Sequence, residues 1–181
     1  MTRATDEQIL RLIREGGSGR EEGYRLLMEG YQQRLYWHIR RIVVSHEDAE
    51  DALQESLVNI CRSIAGFRGQ SSLYTWMFRI ATNEALRLLR ERHGENTSFE
   101  EVRSRLVSQL WDEAGPTGEE ILVRFQEAVL RLPQRQRVVF NMRYYDEMPY
   151  EQMAAVLDST VENMKTNYHY AVKKIKELMS K

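Results

Sequence analysis

An all-α fold is the expectation for this chain, arranged as two small helical domains, 1–93 and 119–181, joined by a flexible linker, 94–118. Three observations predict it. Charged residues make up 29% of the 181 residues and there are only three prolines, a balance that favours helix. Apolar residues recur at spacings of three and four over long stretches. Between Gly94 and Gly118 that rhythm fails, and Gly, Asn, Thr, Ser and Pro punctuate an acidic stretch holding one weak helix at most, around Phe99 to Leu110.

The elements follow in order. Asp6 to Ile13 reads as a short amphipathic helix stopped by Gly16-Gly17-Ser18-Gly19, since glycine ends a helix at little cost. A longer helix, about Glu21 to Val44, carries Tyr24, Leu27, Met28, Tyr31, Leu35 and Ile39 toward a core. Ser45 is placed to cap the next helix with Asp48 at its third position, in the manner of a capping box, and Ala49, Leu53, Leu57 and Ile60 form its inner stripe. A loop over Phe67 to Ser72 precedes a helix from Leu73 to Arg92, with Trp76, Ile80 and Leu88 among its bulky apolar members. The second domain is expected to hold a helix from Glu119 to Leu132, Pro133 as punctuation, and a helix from Gln134 to about Tyr145. A helix-turn-helix over Met148–Lys176 completes it.

In that last segment a proline-led helix from Pro149 to Leu157 buries Met153, Val156 and Leu157, and Asp158-Ser159-Thr160 breaks it and caps the next helix. Val161, Met164, Tyr168, Ala171, Ile175 and Leu178 form one buried stripe. The opposite side presents Glu162, Thr166, His169, Tyr170 and Lys173, flanked by Lys165, a size and chemistry that suit a DNA major groove. An ordinary antiparallel helix pair with a solvated outer face has the same pattern, and the segment alone leaves both readings open.

Composition narrows the function classes. No stretch approaches the roughly 20 apolar residues of a membrane span, and Met1-Thr2-Arg3 leads into an amphipathic segment rather than a signal peptide, so a cytoplasmic protein without membrane insertion is expected. Cys61 is the only cysteine; it reads as a small core residue, with a redox role as the alternative. His38, His46, His93 and His169 lie in different expected elements without metal-ligand spacing, so no metal site and no cofactor is expected. No Gly-rich loop ending in Gly-Lys-Ser/Thr is present, and the acids, histidines and cysteine form no recognisable nucleophile-base set, so the chain is not read as an enzyme.

The formal net charge of −1 argues against a nucleic-acid binder at first sight. The distribution argues otherwise: acids gather in Glu47 to Asp51 and in Glu95 to Glu120, while Arg79, Arg87, Arg90 and Arg92 sit together, as do Lys165, Lys173, Lys174 and Lys176. On the helix after the loop, Arg87 and Arg90 can meet phosphates and Asn83 can pair with a base edge. The small residues of the loop beside Tyr74 and Trp76 could hold a base turned out of its stack, although core packing accounts for Trp76 equally well.

The runs DAEDALQESLVNI, FRGQSSLYTWMFRIATNEALRLLR and LPQRQRVVFNMRYYDEMPYEQMAAVL, followed by an N-capped basic helix, stand in an order that resembles the two-domain bacterial sigma factors of the extracytoplasmic-function (ECF) group of the sigma-70 family. The match runs from about Tyr24 to Leu178. Each motif is weak alone; their joint order and spacing are specific.

The resemblance implies a transcription initiation factor that binds core RNA polymerase and helps open promoter DNA, with the first domain as region two and the last as region four. It places Asp48, Asp51, Gln54 and Glu55 at positions that dock on the beta-prime coiled coil of the polymerase, whose beta flap is a second implied partner. The same acids could instead simply solvate a helix and favour its N-terminal dipole end. The loop Phe67 to Ser72 matches the segment that captures a flipped base of the minus-ten element, with Asn83 closing the pocket. The implied minus-ten set is Phe67, Arg68, Gln70, Ser71, Tyr74, Trp76, Arg79, Asn83, Arg87 and Arg90. The implied minus-thirty-five set is Arg143, Lys165, Thr166, His169, Tyr170 and Lys173.

Where many relatives carry arginine this chain has Asn167, Tyr170 and Val172, which implies weaker phosphate affinity and more readout through amide, imidazole and aromatic groups. Asp158 stands where glycine is frequent in the turn, a change that asks for a left-handed aspartate. An anti-sigma partner covering the docking or DNA faces is a further implication, as is passage of the acidic linker through the polymerase, with a plain tether as the alternative. Tethering two domains makes the second DNA contact effectively intramolecular, which reconciles weak contacts and near-neutral charge with promoter binding. Two other classes fit parts of the pattern: a stand-alone helix-turn-helix regulator that dimerises on an operator, and an all-helical adaptor without DNA contact.

Overall fold

The structure, a computed structural model, describes residues 4–93 and 120–180. The expected linker, with its weak helix, lies outside the described residues. Among those described there are eight α-helices and no strand. The chain divides into two compact units with the boundary between Leu88 and Leu89, inside the last turns of a helix, rather than at its end.

The first unit contains α1 (Asp6–Glu15), α2 (Gly17–Val43), α3 (His46–Ser63), a 3₁₀ turn (Ile64–Gly66) and α4 (Leu73–His93) as far as Leu88, the last residues of that helix falling beyond the boundary. A full capping box starts α1: the Thr5 hydroxyl accepts from Gln8 N and the Gln8 amide oxygen accepts from Thr5 N. The glycine break is shorter than expected. Gly16 and Gly17 take positive φ (79° and 56°) and make the corner, and Ser18 and Gly19 already belong to α2. Helix α1 buries Ile9 and Ile13 on α2, where Gly23 is itself buried because the helices meet there.

On α2, Leu27, Tyr31, Leu35 and Ile39 are buried as the spacing predicts, whereas Tyr24 and Met28 are half-buried. The Tyr24 hydroxyl donates to the Cys61 carbonyl (3.1 Å), tying α2 to α3. On α3 the buried stripe is Ala49, Ala52, Leu53, Ser56 and Ile60, with Leu57 only half-buried. On α4 the bulky Trp76, Ile80 and Leu88 are half-buried, and the core side is Leu73, Met77, Phe78, Ala81, Thr82, Ala85 and Leu89. Small residues on that side fit where His38 of α2 enters, its ring 4.7 Å from Phe78 and its Nε2 2.8 Å from the Thr82 hydroxyl. That hydroxyl donates to the Phe78 carbonyl, so it accepts from His38, which fixes the proton on Nε2.

The second unit contains α5 (Glu120–Leu130), α6 (Gln134–Tyr144), α7 (Tyr150–Val156) and α8 (Val161–Met179). Ala128, Val129, Leu132, Phe140, Ala171 and Ile175 form one cluster, and the rings of Phe140 and Tyr168 stack at 5.9 Å. The fully buried Arg137 points an N–H toward the carbonyl of Leu130 (3.5 Å), the last residue of α5, where the helix dipole favours a cation. Pro149 is the N-cap of α7 rather than its first helical residue, and Met153, Ala154 and Val156 are buried while Leu157 is the half-buried C-cap. Asp158 takes φ 49°, the left-handed aspartate the turn asks for, and the Thr160 hydroxyl caps α8 by accepting from Asn163 N (3.2 Å).

Candidate nucleic-acid and polymerase interfaces

In the first unit the loop is fixed at both ends. At its start Phe67 N donates to Ile64 O (3.1 Å), and its ring is buried 5.2 Å from Trp76. At its end the Ser72 hydroxyl accepts from Thr75 N (3.1 Å) and Trp76 N donates to Ser72 O (3.1 Å), so Ser72 caps α4. Between these anchors Arg68, Gly69 and Gln70 are exposed and Ser71 is half-buried. Gly69 turns with φ 71°.

One face of α4 then carries Trp76, Arg79, Asn83 and Arg90, seven or fewer residues between neighbours and within one helical stripe. Arg79, Asn83 and Arg90 are exposed; Trp76 is half-buried against Phe67. Two expected contacts are changed by packing. Phe67 offers a buried ring rather than a surface one, because the apolar ring is drawn under Trp76. Arg87 is half-buried and ion-paired with Glu84, whose carboxylate also accepts from Asn59 (3.0 Å), so its charge is already partly matched within the unit. Tyr74 lies against Phe78 (4.1 Å) with the Arg34 guanidinium over its ring at 4.5 Å.

The expected docking acids separate. Asp48 is only 6% exposed, a correction to its place on a docking face: it lies on the same side of α3 as Ala52 and turns into the unit beside the Ser45 cap. Asp51, Gln54 and Glu55 are exposed. Gln54 lines an open groove between α2 and α3, together with Met28, Tyr36, Trp37, Leu57 and Cys61. Trp37, 49% exposed, is the large apolar side chain of that groove, and sequence reasoning missed it. Its signal was its place off the buried stripe of α2, beside the groove-lining Met28, Tyr36 and Leu57. Burial raises the Cys61 thiol above its ordinary pKa, which suits a packing role rather than a reactive one.

In the second unit α8 separates its two sides as its period demands. Met164, Ala171 and Ile175 are buried, with Val161, Tyr168 and Leu178 half-buried; Glu162, Lys165, Thr166, His169, Tyr170 and Lys173 are all exposed. Tyr170 is 53% exposed, a large apolar-bodied side chain with a polar tip held in solvent. Arg143 has a structural task as well: one N–H donates to Met148 O (3.1 Å) and the guanidinium sits 5.1 Å over the Tyr150 ring, closing the corner between α6 and α7. Beside Tyr170, Ile121, Leu122, Tyr144 and Tyr145 are the exposed large apolar side chains among the described residues of this unit.

Known proteins share this plan. Residues 27–94 match the family Sigma-70 region 2, and residues 122–175 match Sigma-70, region 4. The chain is 28% identical to the RNA polymerase sigma-H factor of Pseudomonas aeruginosa over 171 residues, covering 90% of this chain and 89% of that one. It is likewise 28% identical to the ECF RNA polymerase sigma-E factor of Haemophilus influenzae, covering 90% and 88%. Two solved structures share the fold: the sigma factor RpoE in complex with the anti-sigma factor NepR from Bartonella quintana (TM-score 0.68, 20% identity, 87% and 96% covered), and CnrH in complex with the cytosolic domain of CnrY (TM-score 0.70, 18% identity, 97% of each).

Proposed function

The chain belongs to the ECF group of the sigma-70 family of RNA polymerase sigma factors, and from that premise we propose how its residues divide the work of transcription initiation. As a sigma factor it is a non-enzymatic initiation factor. In this reading the first unit docks on core polymerase and receives an unpaired base of the minus-ten element. The second unit lays α8 in the major groove of the minus-thirty-five element.

The observation that carries the reading is the sidedness of α8: its polar face is exposed end to end while its apolar stripe closes the core of the unit. Thr166, His169 and Tyr170 then supply hydrogen bonds and an aromatic surface to base edges, with Lys165 and Lys173 at phosphates. Arg143 contributes from the corner it also braces. At the minus-ten element Asn83, Arg79 and Arg90 face the DNA beside the exposed part of the loop, Arg68, Gln70 and Ser71, and Phe67 supports that loop from beneath. Trapping an unpaired base contributes about 1–3 kcal/mol through stacking and pocket contacts, offsetting part of the cost of unpairing.

Docking on the beta-prime coiled coil falls to Asp51, Gln54 and Glu55, with the Trp37 groove as the apolar centre of a polar-rimmed patch. Ile121, Leu122 and Tyr144 are the matching surface for the beta flap. An anti-sigma partner, as the RpoE sigma factor of Bartonella quintana has in NepR, would cover such faces. Among the described residues no helix is long and apolar enough to cross a membrane, and the proposed work takes place in the cytoplasm.

Run-off transcription with purified core polymerase on a pool of promoter fragments tests activity and specificity together. Two variants then test the division of labour. Lys165→Ala weakens promoter binding with core affinity intact, and the double variant Asp51→Ala with Gln54→Ala abolishes co-purification with core. Equal loss of both functions from Lys165→Ala, or undiminished co-purification of the double variant, would refute the assignment.

A further inference from the structure

Helix α1 lies outside the segment that matches region 2, yet it makes a long-range polar contact with the start of the loop. A terminal guanidinium N–H of Arg14 donates to the carbonyl of Phe67 at 2.7 Å, across 53 residues of sequence. We propose that Arg14 is a positioning residue for the loop 67–72, holding it in the shape that receives the unpaired promoter base. This rests on the base-capture reading above.

The geometry is that of a brace. Phe67 is fixed by its N–H on Ile64 O, its ring under Trp76 and its carbonyl on Arg14. The first two come from the elements that flank the loop, the 3₁₀ turn and α4; the third comes from α1. That helix is itself firmly seated. Ile9 and Ile13 are 2% and 1% exposed, the Tyr31 hydroxyl donates to the Asp6 carboxylate, and the approach at Gly23 leaves no room for a side chain. Arg14 therefore extends from a rigid base, and its guanidinium is a stronger donor to a carbonyl than a neutral group would be. With Ser72 capping α4 at the other end, the exposed residues 68–70 span two fixed points. Pre-set geometry of this kind reduces the ordering cost when the base enters.

The experiment uses the full chain with core polymerase on a promoter recovered from the fragment pool, carrying 2-aminopurine at a non-template position of the minus-ten element. Arg14→Met keeps the aliphatic stem and removes the donor. It should slow opening of the duplex by about tenfold, the value of one charge-assisted hydrogen bond, while core co-purification, thermal midpoint and transcription from a premelted template stay near native. Arg14→Lys, which restores a cationic N–H, should recover most of the rate and of the 2-aminopurine signal. Asn83→Ala is the companion variant. If Asn83→Ala slows opening and Arg14→Met does not, the brace is refuted and base capture stands; if neither slows it, base capture itself fails. Loss of core binding and melting midpoint together in Arg14→Met would mark a merely structural residue and overturn the proposal.

Discussion

Gly23→Ala forces α1 away from α2. A Cβ built on Gly23 lies 2.7 Å from Cγ1 of Ile13, 3.0 Å from Ile13 N and 3.2 Å from Ile9 O. Relaxed carbon contacts sit at about 3.5–4.0 Å. The nitrogen and the oxygen belong to the backbone of α1, so relief requires the helix to move as a body. Nor can Cγ1 swing aside, because a β-branched side chain in a helix has one strongly preferred rotamer.

Two terms then compete. Alanine is better than glycine in a helix interior by about 0.8–1.0 kcal/mol, whereas overpacking a well-filled contact costs about 1–3 kcal/mol. The packing term wins, for a net loss of about 1 kcal/mol. Gly19→Ala, four residues earlier on α2, is the control: its nearest neighbour, Leu12 O, stands at 3.4 Å, so the propensity gain acts nearly alone and the variant should be more stable than native. Denaturant unfolding followed by far-UV circular dichroism, with amide exchange over 6–15, measures both. Gly23→Ala matching Gly19→Ala in stability, with exchange of α1 unchanged, would refute the close approach and with it the rigid seat of Arg14.

Three other outcomes follow from the described geometry. Thr160→Ala removes the side-chain acceptor of Asn163 N and should cost about 1 kcal/mol of stability; a cost near zero would mean the turn is held by other bonds. Asn83→Ala should slow opening on duplex promoters far more than on templates already mismatched at the minus-ten element, and equal slowing on both would remove its base-capture role. Cys61, whose thiol burial shifts upward, should alkylate at pH 8 more slowly than the same cysteine in unfolded chain, with its half-maximal rate at a pH above that of a free thiol; a rate equal to that of unfolded chain would show that the groove beside Trp37 does not shield it.

The readable parts of the chain were those governed by neighbours within one helical turn. The cap at Thr160, the left-handed Asp158 and the two sides of α8 are written in residues three and four apart, and each is found where the pattern places it. The same local rules left the inner side of α4 open. The pattern named Trp76, Ile80 and Leu88 among the bulky residues without fixing a core side; all three are half-buried, and the buried side carries Ala81, Thr82 and Ala85, with His38 of α2 bonded to Thr82. Asp48 and Phe67 failed for a related reason: position in a motif does not say which way a side chain turns, and both turn inward.

By itself, then, the amino-acid order determined the helices, most of their ends, the family and the polar face of α8, because these depend on propensity, capping and period along a single segment. Only the tertiary structure decided that Arg14 reaches Phe67, that Arg137 is buried at the end of α5, that Gln54 and Trp37 share a groove, and that Arg87 is already paired. The first three depend on which surfaces of separate helices meet, and the Arg87 pair, made within one helix, depends on which way Glu84 turns toward Asn59 of α3. An amphipathic pattern restricts that choice without making it, because several pairings bury similar apolar area and the close fit of particular side chains selects among them.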